Sequence, residues 1–101
     1  MIIGDKAYVF YMNRVRQREY TLGKATMDFV GYFMSLGDTQ EVAEGKVSEL
    51  STEVAALLYV YTLGNIQPLI DGINASALPF MDAGAKAFLV GELTPVTETP
   101  E

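Results

Sequence analysis

The chain of 101 residues contains neither cysteine nor histidine. Without cysteine there can be no disulfide framework, no thiolate zinc site and no thiol nucleophile. Without histidine the usual general base near neutral pH and the commonest metal ligand are missing, and serine–histidine and cysteine–histidine catalysis are excluded. Neither G-x-x-x-x-G-K nor G-x-G-x-x-G occurs, so no phosphate-cradling loop is legible. Carboxylates do recur at helical spacing, as Glu41 with Glu44 and Glu49 with Glu53. Helical carboxylate-metal sites add a histidine three residues after a glutamate, so these pairs read as a solvated acidic face. The expectation is a protein with no enzymatic activity, no cofactor and no bound metal.

What is present is the composition of one small globular domain: half hydrophobic and one fifth charged. The run Val54–Ile66 is too short to cross a bilayer and is followed by Gln67-Pro68, so it reads as a core helix and no membrane partner is expected. Asp5 interrupts the N-terminus before an apolar stretch develops, so no signal peptide is expected. "TPVTETPE", residues 94–101, combines two prolines with two acids and reads as a flexible acidic tail after a single helical domain, residues 1–93.

Charge is distributed unevenly. Residues 1–24 hold five basic residues against two acids, a balance of +3, while residues 25–101 hold two against eleven, a balance of −9. Such asymmetry steers an acidic partner to one end, joins copies head to tail, or lets the basic end pack beside the molecule's own acids. The last is the preferred reading.

The fold class is mainly α: three to five helices, with the N-terminal segment undecided between a β-hairpin and a first helix. In Tyr8–Leu22 a helix gathers Tyr8, Tyr11, Met12, Val15 and Leu22 into a stripe, with Gly23 as its stop. A hairpin turning at Asn13-Arg14 instead aligns Tyr8, Phe10, Met12 and Val15. "AYVFY" has strand composition, whereas Asn-Arg is a poor two-residue turn. The balance tips to the hairpin. Beyond it, Thr26 is a candidate N-cap for a helix with the stripe Met27, Val30, Phe33 and Met34, stopping at Gly37. Asp38 and Glu41 suggest a capping box. A fresh start at Ser51 or Thr52 leads into Val54–Leu63, apolar almost all round and therefore expected to be buried, with Gly64 as its end. Pro68 suits the first turn of a short helix to about Ile73, and Pro79 opens a last helix, residues 80–93.

Two groups of candidate contact residues follow. Arg14, Arg16 and Arg18 alternate, so in one strand they share a face with Tyr20, suited to phosphate and base stacking. The acidity of the remaining chain disfavours nucleic acid and favours a protein partner or self-association. On the last helix Ala83, Ala87 and Gly91 fall four apart, which permits close approach of another helix. Packing within the monomer is preferred there over a subunit interface.

A short β-like segment ending in "REYTLG", the helix "KATMDFVGYFMSLG", an acidic linker and the apolar helix "STEVAALLYVYTLGN" together form a layout, residues 16–66, that resembles the small tail assembly chaperones of long-tailed bacteriophages. The resemblance implies a mostly helical protein that keeps tape-measure and tube proteins soluble until they polymerise, acting in the cytoplasm of the bacterial host. It carries no catalytic residue. It also implies an apolar groove between helices, for which Phe29, Tyr32, Phe33 and Met34 are the candidates, since methionine surfaces adapt to varied partners. The alternatives are a virion or other structural subunit forming a homo-oligomer, and a small regulator binding protein or nucleic acid through its arginines.

Overall fold

A computed structural model describes residues 2–94, with side chains described from Val15 onward. The described residues form five helices: α1 (Ile2–Ser35), α2 (Gln40–Glu53), α3 (Ala55–Thr62), α4 (Gln67–Asn74) and α5 (Ala83–Leu93). The fold is mainly α.

The N-terminal hairpin is replaced by helix. α1 runs unbroken for 34 residues, roughly 50 Å at 1.5 Å per residue, and so accounts for the longest dimension of the molecule, 53 Å. The reason lies in the missing turn: a tight hairpin at Asn13-Arg14 wants glycine at its second central position, where arginine does not adopt positive φ cheaply. No glycine or proline interrupts Ala7–Leu22, and Gly23 is carried inside the helix rather than ending it. Thr26 is not an N-cap; its Oγ1 donates back to the Leu22 carbonyl at 2.8 Å, as Thr21 does to Gln17.

α1 stops where the sequence indicates. Gly37 takes φ 114°, its N–H donates to the Met34 carbonyl and Asp38 N–H donates to the Phe33 carbonyl, the paired bonds of a Schellman close. α3 ends the same way at Gly64, φ 112°, with Asn65 N–H to Val60 and Gly64 N–H to Tyr61. Because Asp38 belongs to the first of these closures, the cap of α2 falls one residue later. Thr39 accepts from Val42 N–H at 3.2 Å, and the Asp38 carboxylate pairs with Lys46 at 2.7 Å. α5 begins three residues later than expected, at Ala83, because Asp82 caps it through Ala85 N–H at 2.9 Å while Leu78–Met81 forms a turn. Thr94 closes α5; the remainder of the expected tail, residues 95–101, lies outside the described residues.

The inward stripe of α1 is Leu22, Ala25, Phe29 and Phe33, not Met27 and Met34. It meets Phe88 and Ala85 of α5, Val47 and Leu50 of α2, and Leu69 and Ile73 of α4 in one core. Phe29 lies 4.7 Å from Phe33 and 6.1 Å from Phe88, centroid to centroid, and Tyr32 stacks on Phe88 at 4.7 Å. Ser76, the buried polar residue of this core, donates to Glu53 Oε1 at 2.7 Å and accepts from Leu78 N–H. α3 is not the enclosed central helix its composition suggests. Tyr61 is buried, but Tyr59 and Leu63 face outward. The helix packs on α1, α2 and α4, and among the described residues no element covers Tyr59 or Leu63 on its other side.

Candidate partner-binding groove

The expected contact residues separate onto different sides of α1. Residues two apart on a helix leave it about 200° apart, so the alternation that aligned the arginines on a strand divides them on α1. Arg18 turns inward: its Nη1 donates to the Tyr61 carbonyl at 3.3 Å and its guanidinium stands 5.7 Å over the Tyr61 ring. This places a cation at the C-terminal turn of α3, where the helix dipole favours it. Arg18 is thus a packing residue rather than a partner contact, and it stands on a carbonyl rather than on one of the molecule's own acids. Arg16 is exposed. The side chain of Arg14 lies outside the described residues.

Phe29 and Phe33 are core residues, and Tyr32 is half-buried between Phe29 and Phe88. Of the four expected groove residues, Met34 lines the open groove on the outer side of α1, whereas Phe29 lines a small cavity in the core. The open groove runs between α1 and α2, with a volume of about 580 Å³. Met27, Val30, Gly31 and Met34 form its α1 wall; Gln40, Glu44 and Ser48 rim it from α2. Val47 belongs to the floor and is otherwise buried. Met27 is 71% exposed and Met34 42%. Tyr20, also 71% exposed, precedes Met27 by the same seven residues that separate Met27 from Met34. Seven residues are almost two turns, so Tyr20, Met27 and Met34 share one face of α1. Gly23 and Gly31 lie between them, and a Cβ added at either meets nothing within 4 Å. This register is legible only when α1 is read as continuous; the hairpin reading cuts it at Leu22.

The exposed side of α2 is acidic, and Glu44 brings that charge to the groove rim. Glu41, Glu44 and Glu49 are exposed, with Glu44 accepting from Gln40 Nε2 at 2.8 Å. Lys46, the one basic residue of α2, is engaged elsewhere: it pairs with Asp38 and stands 5.0 Å over the Phe33 ring. On the α5 side of α1, Asp28 accepts from Lys24 at 2.8 Å and lies beside Glu92. Lys24 and then Glu92 hold the Asp28 carboxyl below its ordinary value, whereas Asp28, followed by burial, raises the Glu92 carboxyl.

Ala83, Ala87 and Gly91 are all exposed. The preferred reading of this stripe as packing inside the monomer is therefore corrected: α5 packs instead through Ala85, Phe88, Leu89 and Leu93. Among the described residues no group of three acidic side chains converges as a metal site, and no helix is long and apolar enough to cross a membrane. Comparison with known proteins returned no matching family model, no matching curated protein and no matching solved structure.

Proposed function

We propose that this protein is a non-enzymatic binding factor that shields an apolar segment of another protein in the groove between α1 and α2. The supporting observation is the pair Met27 and Met34, exposed along a concave surface while Phe29 and Phe33 of the same helix are packed away. Unbranched thioether side chains fit varied apolar surfaces, and a groove between helices accepts an amphipathic helix. The acidic rim keeps such a complex soluble. This fits the role implied by the resemblance to phage tail assembly chaperones, in which the covered segments belong to unassembled tape-measure and tube proteins in the host cytoplasm.

The test is light scattering from an aggregating phage tail tube protein with the full chain added at equal molar amount. Suppression is expected, together with its loss on Gly31→Leu, which fills the groove from a position where added atoms meet nothing in the monomer. Unchanged scattering with the native chain, or full suppression by Gly31→Leu, overturns the reading.

A further inference from the structure

The outward face of α1 has a property that a groove for an arbitrary client does not need: it matches itself when reversed. Tyr20 stands at one end, Met27 at the centre and Met34 at the other end, with Gly23 and Gly31 between them. In an antiparallel pair centred on Met27, Tyr20 of one copy lies beside Met34 and close to Gly31 of the other. A large ring then meets a methionine sulfur and an open glycine surface, both favourable neighbours for it. The same pairing occurs twice, as a two-fold interface requires.

Charge selects the same orientation. Arg16 is exposed, four residues before Tyr20, and forms no ion pair among the described residues. α2 starts beside the Met34 end of the groove, where Gln40 and Glu44 form the rim and Glu41 is exposed. Antiparallel packing therefore brings Arg16 of one copy to the acidic start of α2 in the other. A parallel pair would set Arg16 against Arg16, which is repulsive.

We infer that, in the absence of a client, the groove is covered by α1 of a second copy, packed antiparallel about Met27. This inference takes its site from the groove of the proposed function but names a different occupant. A client then competes with the second copy, so the methionine surface is covered in either state.

The absence of native cysteine makes the orientation directly measurable. The full chain is expected to sediment at twice its monomer mass at high concentration. Met27→Asp, which faces a carboxylate with its own copy across the two-fold axis, is expected to sediment as a monomer with an unchanged helical circular dichroism spectrum. Under mild oxidation, Tyr20→Cys mixed with Met34→Cys forms the mixed disulfide, and neither variant alone links efficiently. A native chain that stays monomeric at every concentration overturns the inference, as does a dimer that survives Met27→Asp. Efficient linking of Tyr20→Cys to itself overturns it too, because that pairing is parallel. These readouts are independent of client shielding. A monomer that still suppresses scattering refutes the dimer alone, and a dimer that never suppresses it refutes the binding function alone.

Discussion

The two faces of α1 use similar apolar material for opposite ends. The inward face places Phe29 and Phe33 against α2 and α5, where ring meets ring at 4.7 to 6.1 Å and nothing of Phe29 but 1% is left to solvent. The outward face spreads Tyr20, Met27 and Met34 two turns apart with glycines between them. Rigid aromatic rings specify one packing arrangement; flexible thioethers separated by open backbone accept several. Substitutions on the first face should therefore unfold the protein, whereas substitutions on the second should change what it binds.

The largest contrast comes from Phe29→Ala. Deleting a fully enclosed ring costs about 3–5 kcal/mol, a large share of the roughly 5–15 kcal/mol that holds a domain folded. Urea denaturation should show the midpoint fall steeply or the folded baseline disappear. In solution dilute enough to keep the chain monomeric, Met27→Ala should leave the midpoint nearly unchanged, because Met27 is exposed on the single chain. Equal losses from the two would mean that Met27 is enclosed in solution.

Two glycines sharpen the comparison at smaller magnitude. Gly72 of α4 is where α3 comes close: a Cβ there would collide with Leu57 Cδ1. Overpacking of this kind costs about 1–3 kcal/mol, against a gain of about 1 kcal/mol in helix propensity, so Gly72→Ala should lower stability. Gly31→Ala should raise it in the same dilute, monomeric solution. Nothing within 4 Å obstructs the new methyl group, and the propensity gain of about 1 kcal/mol corresponds to roughly 4–8 °C in melting temperature for a domain of this size. Thermal melts of the two variants should move in opposite directions. If both fall, the surface at Gly31 is already filled, and the second copy is the first suspect.

Much of this architecture can be read from residues alone because local chemistry and packing agree there. Gly37 and Gly64 stop helices that the structure also stops, and Pro68 stands in the first turn of α4. The N-terminal segment misleads because "AYVFY" has strand composition while helix continuity depends on an absence, the lack of any turn-forming pair before Gly23. The groove was partly legible for the same reason. Met27, Val30 and Met34 already form one stripe of the expected second helix, where they read as inward-facing; Tyr20 joins their face only because α1 runs unbroken past Leu22. The exposure of Tyr59 and Leu63 has another cause: an apolar composition predicts burial only if enough other elements exist to supply it, and here they do not.

The smallest expected effect concerns the flank of α1 facing α5, where the carboxyls of Asp28 and Glu92 neighbour each other beside Lys24. Asp28 and Glu92 titrate with opposite consequences. Asp28 is lowered by Lys24 and Glu92, so its contribution is present above its unfolded value of 3.8 and is lost as pH falls through the folded one. Glu92 is raised above 4.5, first by Asp28. The folded state therefore holds the Glu92 proton more tightly than the unfolded state does. That contribution is complete at acid pH and is lost as pH rises through the folded value. Glu92→Gln keeps a donor toward Asp28 at every pH and removes the second titration. Melting temperatures of native and variant proteins should nearly coincide below the ordinary carboxylate range and separate above it, with the variant more stable at neutral pH. Because both carboxyls are only half-buried and solvent screens them, the separation should shrink further in high salt; a difference independent of pH and salt would place its origin in packing rather than in the carboxyl pair.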